Sequence, residues 1–264
     1  MRPDAPGADE PAWVGERLEL PPRRPTRRAD AIAQQIRDLI AAHGLRPGDR
    51  IPQEWLSEAH LQAAKGTVRE ALKALKTQGL IKTRTGPGGG VFVSALSAGQ
   101  AMDLLSNLFL FSRPSLSEIY ALRKLLEPEL VAGLAGRLDE ADYAHLQETI
   151  RLYDHAPADA EEEFQQRLSE LDFHSVLAGF SDNRLLTFAC VFLHRLLREM
   201  AVCRAIYATP NPQLRETALN YQVRLMRLLK VGDAEGARSL MAEHMAEAER
   251  YMLARAAIRQ PEGG

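Results

Sequence analysis

Apolar residues recur at helical spacing along most of the chain, and the intervals where that period fails mark its organisation. The first periodic run is "ADAIAQQIRDLIAAHG", in which Ile32, Ile36, Leu39 and Ile40 fall on one face. Thr26 or Asp30 is placed to cap this helix, and Gly44 to stop it before a tight turn through Pro47 and Gly48. Residues 53–61, "QEWLSEAHL", predict a short second helix. Lys65 to Gln78 predict a third, with Val68, Leu72 and Leu75 as its buried stripe and Gly79 as its C-terminal stop. The period then shortens: "LIKTRT" and "VFVSA" read as two short strands around "GPGGG".

From Ala98 onward the pattern is helix after helix, at about 98–110, 115–136, 139–155, 159–179, 183–207, 211–230 and 234–258. Pro114, Pro157, Pro210 and Pro212, with Gly136 and Gly232, supply the breaks, and Asn183 and Asp233 stand where caps are needed. No strand-like alternation occurs here, so the back half is an all-α antiparallel bundle of six or seven helices. Residues 1–26, rich in Pro, Ala, Gly and Arg, read as a flexible tail. The expected organisation is that tail, a small domain over 27–95, a linker with a short helix over 96–114, a helical domain over 115–258, and a tail over 259–264.

Three short helices followed by a β-hairpin is the layout of a winged helix-turn-helix. In that fold the third helix enters the DNA major groove by its N-terminal end, and the hairpin tip lies along the sugar-phosphate rail. A tip built of glycine suits close backbone approach. Lys65, Thr67 and Arg69 are the residues placed to contact DNA, with Gly66 allowing close approach and Arg84 and Gly88 contributing from the wing. Lys65 and Arg69 are four apart and share the face opposite Val68 and Leu72. Taken alone, the same pattern also describes a solvated helix in which Arg69 pairs with an acid. Lys73 and Lys76 read as phosphate or solvent residues.

Charge sharpens this picture. Residues 23–95 carry 13 Lys and Arg against 6 Asp and Glu, whereas residues 96–264 carry 18 against 24. A basic front and an acidic back suggest two modules with different partners, the front one suited to a polyanion. The glycine tip is not a nucleotide loop, because no helix follows it and no Lys-Ser/Thr completes a P-loop. No apolar run is long enough to span a membrane, and the N-terminus lacks a signal-peptide core, so a cytoplasmic protein is expected. Cys190 and Cys203 are too far apart for a CxxC motif and read as buried thiols.

Here the stretch from Lys65 resembles the GntR family of bacterial transcription regulators. The family's usual run is Ser-Arg-x-x-Val-Arg-Glu-Ala-Leu, a Gly-Leu pair and a glycine wing. Lys65, Val68, Arg69, Glu70, Ala71 and Leu72 keep it, followed by Gly79 and Leu80, and "RPGDRIPQE" looks like the family's preceding turn. The back half is similar to the helical effector domain (FCD domain) of the FadR subfamily, through "IYALRKLLEPELV", "ELDFHSVLAGFSDNRLL" and "LLKVGDAEGARSLMAEHM". Three departures bear on DNA reading. Ala64 replaces the Ser that caps the third helix, a loss of about 1 kcal/mol. Lys65 replaces an Arg, giving up its planar fork toward guanine, and Trp55 replaces an Arg of the second helix.

The resemblance implies a homodimer that binds a near-palindromic DNA operator and is controlled by a small-molecule effector, most readily a carboxylate. Repression relieved by the effector is the expected sign. Glu170 and His174, at i and i+4, share a helix face. In many relatives an acid and three histidines from these helices bind a divalent metal, at positions that match Glu170, His174 and His244. The middle histidine position is Gln222, a weak donor for Zn or Ni, and Mn suits the set better. The alternative is a metal-free polar pocket in which Glu170, His174, Gln222 and His244 bond one another or the effector. The resemblance gives Arg123 the task of gripping a carboxylate; the alternative is a salt bridge to Glu127. His194 is placed to line the cavity or simply to pack. Two other functions compete: a metal-dependent enzyme in the helical domain, although no HExxH and no second acid–His helix pair is present, and a constitutive DNA-binding protein whose bundle only dimerises. No catalytic residue is assigned.

Overall fold

A computed structural model describes residues 28–109, 113–151, 155, 157–207 and 212–259. The tail over 1–26, Thr26 and the break at Pro210 lie outside the described residues. The chain divides into two compact units, residues 1–112 and 113–264.

The first unit begins with α1, Arg28–Ala42, which buries Ile32, Ala33, Ile36 and Ile40. Asp30 lies inside its first turn rather than at its cap. The expected single helix over 53–61 is instead a 3-10 turn, Gln53–Leu56, followed by α2, Glu58–Leu61. The split has a local cause: Ser57 turns extended, and its hydroxyl accepts from the His60 N–H, so it caps a new helix in the middle of the run. Next comes α3, Lys65–Thr77, with Val68, Ala71 and Leu75 buried and Leu72 half-buried. These stripes meet in one apolar core, in which α3 packs on α1.

The wing is a two-stranded antiparallel hairpin of β1, Ile81–Arg84, and β2, Gly90–Val93, in register from Ile81↔Val93 to Arg84↔Gly90. Residues 49–51 lie along its edge: Ile51 N–H donates to Val91 C=O at 2.9 Å and Val93 N–H to Asp49 C=O at 2.8 Å. This edge pairing holds Arg50 beside the wing. Helix α4, Ala98–Leu108, is closed by a capping box of Ser97 and Gln100 and falls in the first unit, so the linker expected over 96–114 is largely helix.

In the second unit α5, Leu116–Leu134, runs through Pro128 without ending. It is followed by α6, Glu140–Ile150, and α7, Ala160–Gly179. The helix expected over 183–207 is two helices, α8, Arg184–Glu199, and α9, Ala201–Tyr207. Met200 between them is extended (φ −70°, ψ 126°), which turns α9 so that Cys203, Ile206 and Tyr207 are buried against neighbouring helices. The bundle ends with α10, Pro212–Val231, and α11, Ala234–Arg259. Its core includes Phe173, Leu177, Cys190, Leu225, Leu229 and Met245, each fully buried. The turns at the far end of α5 and α10 are tied together, with Gly136 N–H donating to Leu229 C=O at 2.8 Å. Among the described residues no helix is long and apolar enough to cross a membrane.

Gly79 stops α3 with φ +74°, and a Cβ there would stand 2.7 Å from Leu96 Cδ2. Gly79→Ala is therefore expected to lower the unfolding free energy of the first unit by about 1–2 kcal/mol, read by urea denaturation.

Candidate functional site

The first unit presents a groove of about 730 Å³ between α3, the wing and the segment before α2. Lys65, Arg69 and Arg84 line it, and Arg50 joins them. Sequence reasoning missed Arg50, because only the edge pairing of residues 49–51 with β2 brings it there. The Arg50 side chain lies against Gly90, where a Cβ would stand 2.8 Å from its Nε, so glycine at 90 makes the contact possible. The Arg84 guanidinium sits 4.8 Å over the Phe92 ring, which aims it along the wing. Gly66 and Gly88 are exposed, whereas Thr67 is half-buried. Lys73 and Lys76 are also exposed. At the start of α3, Ala64 offers no side-chain cap, so the first backbone N–H groups of that helix have no partner from it. Trp55 does not reach into the groove as a cation would; it stacks on His43 at 4.3 Å and packs against the core.

The second unit holds a partly open cavity of about 50 Å³, enough for a few water-sized groups, in which polar side chains are set among mostly apolar surface. Arg123 of α5, Glu170 and His174 of α7, Tyr207 of α9 and His244 of α11 line it. The i, i+4 spacing puts Glu170 and His174 on one wall, and α11 brings His244 opposite. Their donor atoms lie within 4.8 Å of one another. His244 Nε2 stands 3.4 Å from Glu170 Oε1, at ion-pair distance but without hydrogen-bond geometry. The His174 and His244 rings are nearly parallel with centroids 5.4 Å apart, and Tyr221 stacks on His244 at 3.7 Å. Asp172 faces away, as its spacing requires, and pairs with Arg198.

Behind the cavity wall lies a second layer. Glu127 Oε2 accepts from His174 Nδ1 at 2.6 Å, and Oε1 accepts from Arg123 Nε at 2.5 Å and from His194 Nε2 at 3.0 Å. Arg123 is salt-bridged to Glu127, the alternative left open by the sequence, and it also lines the cavity. His194 does not line the cavity; it holds Glu127 on one side and meets Ser175 Oγ at 3.0 Å on the other. Burial works against the charge on Glu127, but Arg123, His174 and His194 overcome it and hold the carboxyl well below the usual range. Burial pulls His174 down to about 4 against the opposing influence of Glu127, so the ring is neutral at neutral pH. For Glu170 the neighbours His244, His174 and Arg167 outweigh burial and leave it ionised, at about 2.

Several polar atoms at this centre are buried without a hydrogen-bond partner: His174 Nε2, His244 Nε2 and both amide atoms of Gln222. Gln222 is fully buried on α10, directly after Tyr221, and is not among the cavity-lining residues. Orphaned buried donors and acceptors are costly, each by about 1–3 kcal/mol, so the two histidine nitrogens beside the Glu170 carboxylate are atoms that a ligand would relieve.

A winged helix-turn-helix with a cationic groove, followed in the same chain by a helical bundle around a polar cavity, defines a DNA-binding regulator with its own sensing domain. Residues 28–93 match the gntR family of bacterial regulatory proteins, and residues 118–247 match the FCD domain. The chain belongs to the gntR family and carries an FCD domain, the FadR-type arrangement that its motifs implied. It is 26% identical over 206 residues to the HTH-type transcriptional regulator LutR of Bacillus subtilis, a match covering 78% of this chain and 92% of that one. It is 28% identical over 180 residues to the HTH-type transcriptional repressor NanR of Edwardsiella tarda, covering 66% of each. A solved Streptococcus agalactiae GntR shares the fold, with a TM-score of 0.55 at 20% identity over 84% of this chain and 99% of that one.

Because Arg123 answers the buried charge of Glu127, Arg123→Ala is expected to destabilise the bundle by about 3–5 kcal/mol. Urea denaturation of the metal-free protein checks this. Such a loss also means that a missing ligand response in this variant reports on folding before it reports on carboxylate recognition.

Proposed function

We propose that this protein is a homodimeric repressor whose operator binding is relieved by a small organic acid held in the bundle cavity together with a divalent cation. The observation that carries this reading is the convergence of Glu170, His174 and His244, with the facing nitrogens of both histidines buried and unpartnered. A carboxylate and two imidazole nitrogens fit a divalent ion, and such a set leaves coordination positions open. Gln222, where the resemblance puts a third histidine, favours a harder ion such as Mn over Zn or Ni. The cation would supply a Lewis-acid docking point for a carboxylate.

Charge gives the cation a second reason to be there. Among the Lys, Arg, Asp and Glu side chains that line the cavity, Glu170 and Glu247 stand against Arg123, so a free carboxylate entering alone meets a negative balance. A bound divalent ion reverses that sign and lets Arg123 and the cation share the acid. The relatives are transcriptional regulators, and this reading takes the cavity as a sensor and not as a catalytic centre. The name of NanR as a repressor supports the sign of the response.

On the DNA side, Lys65, Arg69, Arg84 and Arg50 supply the phosphate and base contacts, with Thr67, Gly66 and Gly88 allowing close approach. The uncapped amides of α3 suit a phosphate oxygen, which a capping serine would otherwise replace. Two copies present two recognition helices to the two halves of a near-palindromic operator. Leu122 and Leu125, exposed one turn apart on α5, offer apolar surface for the second copy. The acid shifts DNA affinity only by binding one arrangement of the dimer more tightly, and DNA must weaken acid binding by the same factor.

Three measurements test the proposal. Protein purified without added metal, analysed by inductively coupled plasma mass spectrometry, is expected to carry one divalent ion per chain, absent from His174→Ala. A thermal-shift screen of carboxylic acids is expected to give stabilisation that chelator abolishes; acids that bind equally well in chelator would leave a metal-free pocket. For the DNA side, fluorescence anisotropy on a short random duplex is expected to show that Arg50→Ala and Arg69→Ala each lower the slope of log affinity against log salt by about 1. An unchanged slope would remove that residue from the phosphate contacts.

A further inference from the structure

Glu127 touches nothing in the cavity, yet it is bonded to both of the cavity's key side chains. It is 1% exposed and lies behind Arg123 and His174, outside the lining. Its carboxylate is saturated: Oε2 faces His174 Nδ1 at 2.6 Å, and Oε1 faces Arg123 Nε at 2.5 Å and His194 Nε2 at 3.0 Å. An ionised carboxylate only accepts hydrogen bonds. The single proton of a neutral His174 must therefore sit on Nδ1, and its lone pair must sit on Nε2, the nitrogen that has no partner.

From this geometry we infer that Glu127 is the positioning residue of the cation site, selecting the one tautomer of His174 that presents a lone pair toward Glu170 and His244. The inference rests on the cation proposed above. Glu127, His174 and His194 also lie within 4.8 Å of one another, which raises the question of a second cation between them. The Arg123 guanidinium rules this out, because it already occupies Glu127 Oε1 as a buried positive charge. The inner cluster is support for the outer one. His194 has the same relation to Glu127 from the α8 side and keeps the carboxylate from rotating away.

Replacing the carboxylate by an amide keeps its shape, removes the charge that answers Arg123, and inverts the hydrogen bond to His174. In Glu127→Gln the amide oxygen stays with Arg123 and the NH₂ group faces His174 Nδ1, which must then accept. The ring proton moves to Nε2 and blocks the nitrogen that the cation needs. Long-range ¹H–¹⁵N correlation spectra of the metal-free full-length chain read the tautomer directly, with the His174 signal identified by its loss in His174→Gln. Calorimetric titration with MnCl₂ reads the affinity. Glu249→Gln, which removes the Lys124–Glu249 ion pair of the same helix, controls for the general loss of an α5 pairing.

The expected result is an Nδ1–H tautomer in wild type and in Glu249→Gln, an Nε2–H tautomer in Glu127→Gln, and Mn²⁺ affinity about 10–100-fold weaker in that variant alone. An Nε2–H tautomer in the wild type overturns the inference without any variant, so misfolding of Glu127→Gln cannot shelter it. Equal Mn²⁺ affinity in wild type and Glu127→Gln overturns it too, while leaving the proposed cation intact. A wild type that takes up none of Mn²⁺, Zn²⁺ or Ni²⁺ sinks the proposed cation, and this role for Glu127 with it.

Discussion

A carboxylate buried as deeply as Glu127 is tolerable only where its charge is answered, and the helical domain is arranged to answer it. Arg123 comes from the preceding turn of the same helix, His174 from α7 and His194 from α8. Three helices are thereby brought to one point by a constraint that apolar packing alone does not impose. Replacing the group by well-packed aliphatic residues would be neutral or stabilising in many proteins. Its presence here is better understood through what it orients than through what it stabilises.

The two units use polar side chains in opposite ways. In the first, the cations lie on a surface over an apolar core that needs nothing from them, so the groove is formed before any partner arrives. In the second, the chemistry is interior, and the neighbouring core of Phe173, Leu177, Leu225 and Met245 holds the walls in place. A surface set of charges reads a polyanion with steep dependence on ionic strength. An interior set is shielded from bulk ions and discriminates by size and coordination, which suits a sensor of small molecules.

Much of this was legible in the sequence because local chemistry and long-range packing agree there. The 3.6-residue period of α1 and α3, the stop at Gly79 and the glycine-rich tip all have local causes, and the structure places them accordingly. The bend at Met200 was not legible, since neither proline nor glycine marks it and only the burial of Cys203 and Tyr207 rewards it. Arg50 was missed because its position depends on pairing with a strand some forty residues later. His194 was read as a packing residue with an optional place in the cavity. Its part in holding Glu127 could not be seen, because no spacing rule links residues on α5, α7 and α8. Glu170 and His174 were visible as a pair through i, i+4 spacing, whereas the lack of partners around Gln222 is a property of three dimensions only.

The hydrogen bond from Gly136 to Leu229 fastens the turn after α5 to the turn before α11. His244 lies ten residues into α11, roughly 15 Å from the start of that helix at helical rise. Beyond His244 the helix is held again, by the Lys124–Glu249 ion pair to α5 and by the buried Met252. His244 therefore sits between two fastenings, so whatever occupies the cavity acts on a stretch of α11 that is held on both sides.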